Sequence, residues 1–137
     1  EEAGAAIKKG KNFIFVSPKE LCMPREIVKK IKNLGWKVQE LESLIDNISN
    51  MDVIYDTRVQ KERFTDLEKY EKLKLAYVIN PKVMQKAKKK SILMHPLPRV
   101  GEIATEVDSD PRALYLREQM RNGMYIRMAL LDLILNK

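Results

Sequence analysis

Short apolar runs alternate with stretches of helical apolar spacing along most of this 137-residue chain, and no other feature restricts its fold as much. Asn12-Phe13-Ile14-Phe15-Val16 is an extended apolar run ended by Ser17-Pro18, and Trp36–Glu40, Asp52–Tyr55 and Ile92–Met94 supply three further strands. Behind Pro24, the residues Ile27, Val28, Ile31 and Leu34 recur on one helical face, and Gly35 ends that helix. Leu41–Ile48 reads as a short helix with Leu44, Ile45 and Ile48 inward, and Asp66–Leu75 as another. Asn80 is expected to cap a helix led by Pro81 and running to about Lys89. Asp110 is expected to cap one from Arg112 to Met120, and a last helix spans about Met124–Leu135. Strands separated by helices need right-handed crossovers. The prediction is therefore an α/β fold: a Rossmann-like three-layer α/β/α domain on a parallel sheet of about four strands, in the order 2-1-3-4.

Composition narrows the function. The chain has 45% hydrophobic and 33% charged residues, which suits a soluble single domain. Cys22 stands alone, so no internal disulfide and no cysteine metal cluster can form, and a reducing, cytoplasmic setting is expected. No apolar run reaches the roughly 18 residues of a membrane span, and no secretory leader is expected. The net charge of +7 invites a nucleic-acid reading. Its densest cluster, Lys86, Lys88, Lys89 and Lys90, lacks interleaved aromatics and lies where lysines complement a helix C-terminus. A small anionic substrate accounts for the charge equally well, and no nucleic acid is expected as partner.

Two polar loops follow strands three and four. Thr57–Phe64 offers Arg58, Gln60, Lys61, Glu62 and Arg63. His95-Pro96-Leu97-Pro98-Arg99 offers the one histidine, an arginine and two prolines, which remove backbone donors and stiffen a loop that presents carbonyl oxygens. Neighbouring parallel strands send such loops out at one sheet edge, where open α/β sheets bind ligands. Arginines there suit a carboxylate, to which guanidinium donates two parallel hydrogen bonds. One histidine and one cysteine without a glycine-flanked serine exclude a catalytic triad, and the five scattered glycines exclude a phosphate-binding glycine loop. Glu102, Glu106, Asp108 and Asp110 lack calcium-loop regularity and read as solvated surface and a helix cap, so no metal is expected.

The wording of these loops resembles a known family. Tyr55-Asp56-Thr57-Arg58-Val59-Gln60-Lys61-Glu62-Arg63-Phe64, then Met94 to Ile103, Val107 to Ala113 and Asn122 to Leu131, are similar to aspartate carbamoyltransferases. The last of these is most like the eukaryotic enzymes, including the carbamoyltransferase part of the large pyrimidine-synthesis polyprotein. Ornithine carbamoyltransferases usually carry His-Cys-Leu-Pro where this chain has His95-Pro96-Leu97-Pro98, which favours aspartate. The resemblance implies that Arg58 and Gln60 hold the aspartate carboxylates and that the carbonyls of Pro96 and Leu97 receive the carbamoyl amine. Lys61, Glu62 and Arg63 would belong to a mobile loop that closes over the site. The implied reaction joins L-aspartate to carbamoyl phosphate in pyrimidine biosynthesis, without a cofactor.

The departures shape the rest of the expectation. Family chains are more than twice as long, with a first domain that carries the carbamoyl phosphate site. Residues 12–137 then correspond to the aspartate-binding domain alone, with no catalytic residue of its own and inactive in isolation. Residues 1–11 are an altered segment. The last helix normally packs on the absent carbamoyl phosphate domain, and members of the family are homotrimers. Self-association through Ile126, Leu130, Leu133 and Ile134 is expected here instead. Asp56 replaces a usually apolar residue before Thr57-Arg58. The alternative is a non-catalytic dicarboxylate-binding or protein-interaction module derived from the same fold.

Overall fold

A computed structural model describes residues 12–59, 64 and 66–136. The chain divides into two compact units, one up to Asp46 and one from Asn47. In the first, β1 (Asn12–Val16) pairs in parallel with β2 (Lys37–Leu41), Phe13 opposite Val38 and Phe15 opposite Glu40. Helix α1 (Arg25–Asn33) makes the crossover and buries Val28. Its end explains Gly35: the Gly35 N–H donates to the Lys32 carbonyl and the Trp36 N–H to the Ile31 carbonyl, a closure needing the φ of +80° found there. Trp36 then stacks on Phe13 at 5.3 Å between ring centroids.

The second unit holds β3 (Val53–Tyr55), α2 (Leu67–Ala76), α3 (Pro81–Lys86), β4 (Ile92–Met94) and α4 (Glu118–Leu135). β3 and β4 pair in parallel, Ile54 opposite Leu93. On its other side β4 bridges in parallel to Ala113, and Ile79 bridges to Ile103. The core gathers Ile48, Ile54, Ile79, Val83, Met84, Leu93, Ile103, Val107 and Tyr115. Asn80 caps α3 as expected: its side chain accepts from the Val83 N–H at 3.1 Å, and Pro81 takes the first helical position.

The fold is α/β with parallel strands. Within the units the neighbours are 2-1 and 3-4, as the expected order requires, and the described strands form two two-stranded sheets. Three helices depart from expectation. Leu41–Ile48 is extended and then turned, ending in a 3₁₀ turn at Ile48–Asn50, and of its supposed inward residues Ile45 is exposed. Three apolar positions, Leu44, Ile45 and Ile48, could not outweigh Asp46 and Asn47, whose side chains compete for the backbone. Arg112–Arg117 is no helix: the strand-like pairing of Ala113 with Leu93 claims that backbone first. The last helix consequently starts at Glu118 rather than near Met124 and runs on to Leu135.

Candidate functional site

Because β3 and β4 run side by side in parallel, the chain leaves both at one edge, and the Asp56 N–H donates to the Met94 carbonyl across the exit. Arg58 stands exposed on the loop that leaves β3. Gln60, Lys61, Glu62 and Arg63 lie outside the described residues, as does the segment 1–11. Pro96 is exposed and Leu97 half-buried on the loop that leaves β4. The two loops therefore begin together, as the paired strands require.

The second loop is braced from below by its own acid. His95 and Glu102 are 1% and 5% exposed, so both need partners. The Leu97 N–H donates to His95 Nδ1 at 2.9 Å, which leaves the ring proton on Nε2, and Nε2 lies 2.8 Å from Glu102 Oε1. The other oxygen, Oε2, accepts the Val100 N–H at 2.7 Å. This chain of bonds holds Leu97 at a φ of +52°, a left-handed conformation that a leucine adopts only under such constraint. Pro98 contributes no donor, and the Leu97 N–H is taken by the imidazole. Among the described residues neither the Pro96 nor the Leu97 carbonyl accepts a hydrogen bond. His95 thus builds the loop and is no exposed ligand group.

Arg99 is also occupied. Its guanidinium forms a two-point pair with the Asp108 carboxylate and reaches the Tyr115 hydroxyl at 3.0 Å, while that hydroxyl donates to Asp108. The hydrogen bond to Arg99 holds the Asp108 carboxyl below its ordinary range. Burial, aided by Asp108, pushes the Tyr115 phenol up to about 12. Asp110 likewise receives the Arg112 backbone and guanidinium, which reaches on to the carbonyls of Ala87 and Lys88. The acidic stretch from Glu102 to Asp110 is therefore mostly structural counter-charge and not the solvated surface its spacing suggests. The partners of Glu102 and Asp108 sit seven and nine positions away around a loop, beyond the reach of any local periodicity.

Two groups escape sequence reasoning in different ways. Gln119, in the first turn of α4, clasps the His95 backbone: its Oε1 accepts the His95 N–H at 3.0 Å and its Nε2 donates to the His95 carbonyl at 2.8 Å. Nothing in the sequence marks it. Asp56, noted as a departure, has its Oδ2 buried and without a hydrogen-bond partner. Burial first, and then the nearby Glu102 charge, raise its carboxyl from 3.8 to about 7, against a smaller opposing effect of the Thr57 N–H. Among the described residues no group of three acidic, histidine or cysteine side chains could hold a metal, and no helix is long and apolar enough to cross a membrane.

A family model for the Asp/Orn-binding domain of aspartate/ornithine carbamoyltransferases matches residues 3–134. The chain is 48% identical over 126 residues to the multifunctional protein CAD of Squalus acanthias, covering 92% of this chain and 6% of that protein. It is 47% identical to the aspartate carbamoyltransferase catalytic subunit of Alkaliphilus oremlandii, covering 90% of this chain and 37% of the relative. Among solved structures, the M. jannaschii aspartate transcarbamoylase catalytic subunit superimposes with a TM-score of 0.85 at 43% identity, covering 97% of this chain and 44% of that one. The Trypanosoma cruzi aspartate transcarbamoylase in complex with carbamoyl phosphate and aspartate gives 0.77 at 40% identity, over 88% of this chain and 40% of that one. This chain spans well under half the length of each of these relatives.

Proposed function

Since the chain belongs to the aspartate/ornithine carbamoyltransferase family, whose Asp/Orn-binding domain it matches, we propose that it supplies the aspartate-binding half of an aspartate carbamoyltransferase. The reaction is attack of the L-aspartate amine on the carbamoyl carbon of carbamoyl phosphate, giving N-carbamoyl-L-aspartate and phosphate. Arg58, with Gln60, holds the aspartate carboxylates through paired N–H donors. The carbonyls of Pro96 and Leu97 accept the carbamoyl amine. Lys61, Glu62 and Arg63 close over the bound pair. Catalysis of this kind rests on positioning and charge stabilisation, with no covalent step on the protein.

The observation that carries this reading is the His95–Glu102 brace, which holds a loop whose Pro96 and Leu97 carbonyls accept no hydrogen bond among the described residues, beside the loop that bears Arg58. Pro96 in that loop supports aspartate over ornithine as the amino substrate. The phosphate of carbamoyl phosphate finds no cradle among these residues. The activity therefore belongs to a longer protein or an assembly with a carbamoyl phosphate-binding domain, in a cytoplasmic setting and in the family's trimeric form. That domain also supplies cover for α4.

The test is complementation. The chain combined with the carbamoyl phosphate-binding domain of a relative is expected to form carbamoyl aspartate from aspartate and no citrulline from ornithine. Replacement of Arg58 by alanine is expected to raise the KM for aspartate at least 10-fold, by loss of a charge-assisted pair. Turnover by the 137-residue chain alone would overturn the division of labour.

A further inference from the structure

A parallel ladder has a fixed continuation, and β4 departs from it at one rung. The Leu93 N–H donates to the Arg112 carbonyl and the Leu114 N–H to the Leu93 carbonyl. In a regular parallel ladder the next rung would join the His95 N–H to the Leu114 carbonyl, and the His95 carbonyl to the N–H two residues beyond Leu114. Instead the Leu114 carbonyl accepts the Arg117 and Gln119 N–H groups, which turn the chain into α4. The side-chain amide of Gln119 then takes the vacant rung, accepting from the His95 N–H and donating to the His95 carbonyl. A primary amide carries one acceptor and one donor in the arrangement of a peptide group. It can therefore satisfy both backbone atoms of a buried residue at once.

We infer that Gln119 is a positioning residue for the carbamoyl-recognition loop, its amide acting as a surrogate strand residue that sets where Pro96 and Leu97 present their carbonyls. The inference rests on the proposed carbamoyl-transfer function. His95 carries two restraints that meet at Leu97: its backbone is held by Gln119, and its ring by Glu102 and the Leu97 N–H. Remove the first and His95 stays buried, but its backbone has lost both partners, and the next two residues are free to shift. Arg58 follows a different strand, β3, whereas Gln119 clasps the residue that follows β4. The binding of aspartate and the placement of the carbamoyl group are thus separable. Gln119 acts on the second.

The test uses the full-length enzyme that contains this chain. In Gln119→Ala, kcat is expected to fall about 100-fold, the scale of an ångström-sized misplacement of a reacting group, while the KM for aspartate changes less than about threefold. Gln119→Glu supplies the discriminating pH profile. The ionised carboxylate accepts from the His95 N–H but repels its carbonyl. The protonated acid offers one acceptor and one donor, as the amide does. This variant is expected to regain activity relative to wild type as pH falls, whereas Gln119→Ala does not. Amide hydrogen exchange at His95 and Leu97, followed in the same proteins without substrate, is expected to accelerate in Gln119→Ala. Unchanged exchange would overturn the tie itself. Faster exchange with unchanged kcat would overturn its role in positioning. A wild-type enzyme that transfers no carbamoyl group, with exchange still responding to the substitution, would instead remove the functional reading on which the inference stands.

Discussion

Asp56 is the residue whose behaviour departs furthest from its type. Its native carboxyl titrates near 7, whereas an unfolded aspartate titrates near 3.8. The folded chain therefore keeps a proton that the unfolded chain releases, and stability falls as pH rises between those values. The contribution is fully present below 3.8 and lost above about 7, an interval worth at most roughly 4 kcal/mol. Asp56→Asn is expected to flatten this slope, with a higher urea midpoint than wild type at pH 8 and little difference at pH 4. A second prediction concerns Tyr115, fully buried with its hydroxyl between Arg99 and Asp108. Tyr115→Phe is expected to cost about 1–2 kcal/mol in chemical denaturation, since both partners stay ionised and paired without it. The sequence displays Arg58, Pro96 and Leu97 openly, because charge and proline chemistry are local signals. It hides the fates of His95 and Arg99. Their partners, Glu102 and Asp108, lie across a turn whose path follows from tertiary packing.

At the scale of elements, strands and caps are the readable part. All four strands announce themselves as apolar runs, and Asn80-Pro81 announces the start of α3 through the chemistry of one side chain and one ring. Asn80→Ala is expected to cost about 1 kcal/mol by leaving the Val83 N–H without its acceptor, measurable as a shift in the thermal midpoint. Leu93, fully buried between β3 and the Ala113 segment, is expected to cost about 2–5 kcal/mol on truncation to alanine, by lost burial plus the cavity left behind; ~24 cal/mol per Å³ of that cavity sets the scale. The helices expected at Leu41–Ile48 and Arg112–Met120 show the other side. Short apolar spacing does not distinguish a helix from a segment about to be captured by a neighbouring strand edge, and Ala113 is captured.

At the scale of the whole molecule, α4 keeps an apolar surface uncovered by the described residues. α4 buries none of its residues, and Ile126, Leu130, Leu133 and Ile134 are exposed by 52–67%. A patch of this kind is seldom left in water. The chain alone is expected to self-associate by light scattering, and Leu130→Lys with Ile134→Lys to shift it toward monomer. A strictly monomeric wild-type chain at high concentration would contradict that. The family's chain length, more than twice this one, makes the same face legible in the sequence as a helix apolar on several sides.

The parallel pairing within each unit also has a temporal consequence. Neither sheet can form from neighbouring residues: Asn12 must find Lys37, and Val53 must find Ile92. Closing the longer loop costs only a few tenths of a kcal/mol more, because loop entropy grows logarithmically with length. Rates respond more strongly, since non-local pairs must be assembled before they reward the chain. α4 needs no such search and can wind locally within about a microsecond. During folding, then, an apolar helix can wind while the strands are still unpaired. Association of α4 with a second copy is fastest in that interval, so refolding yield should fall with protein concentration well before equilibrium stability does.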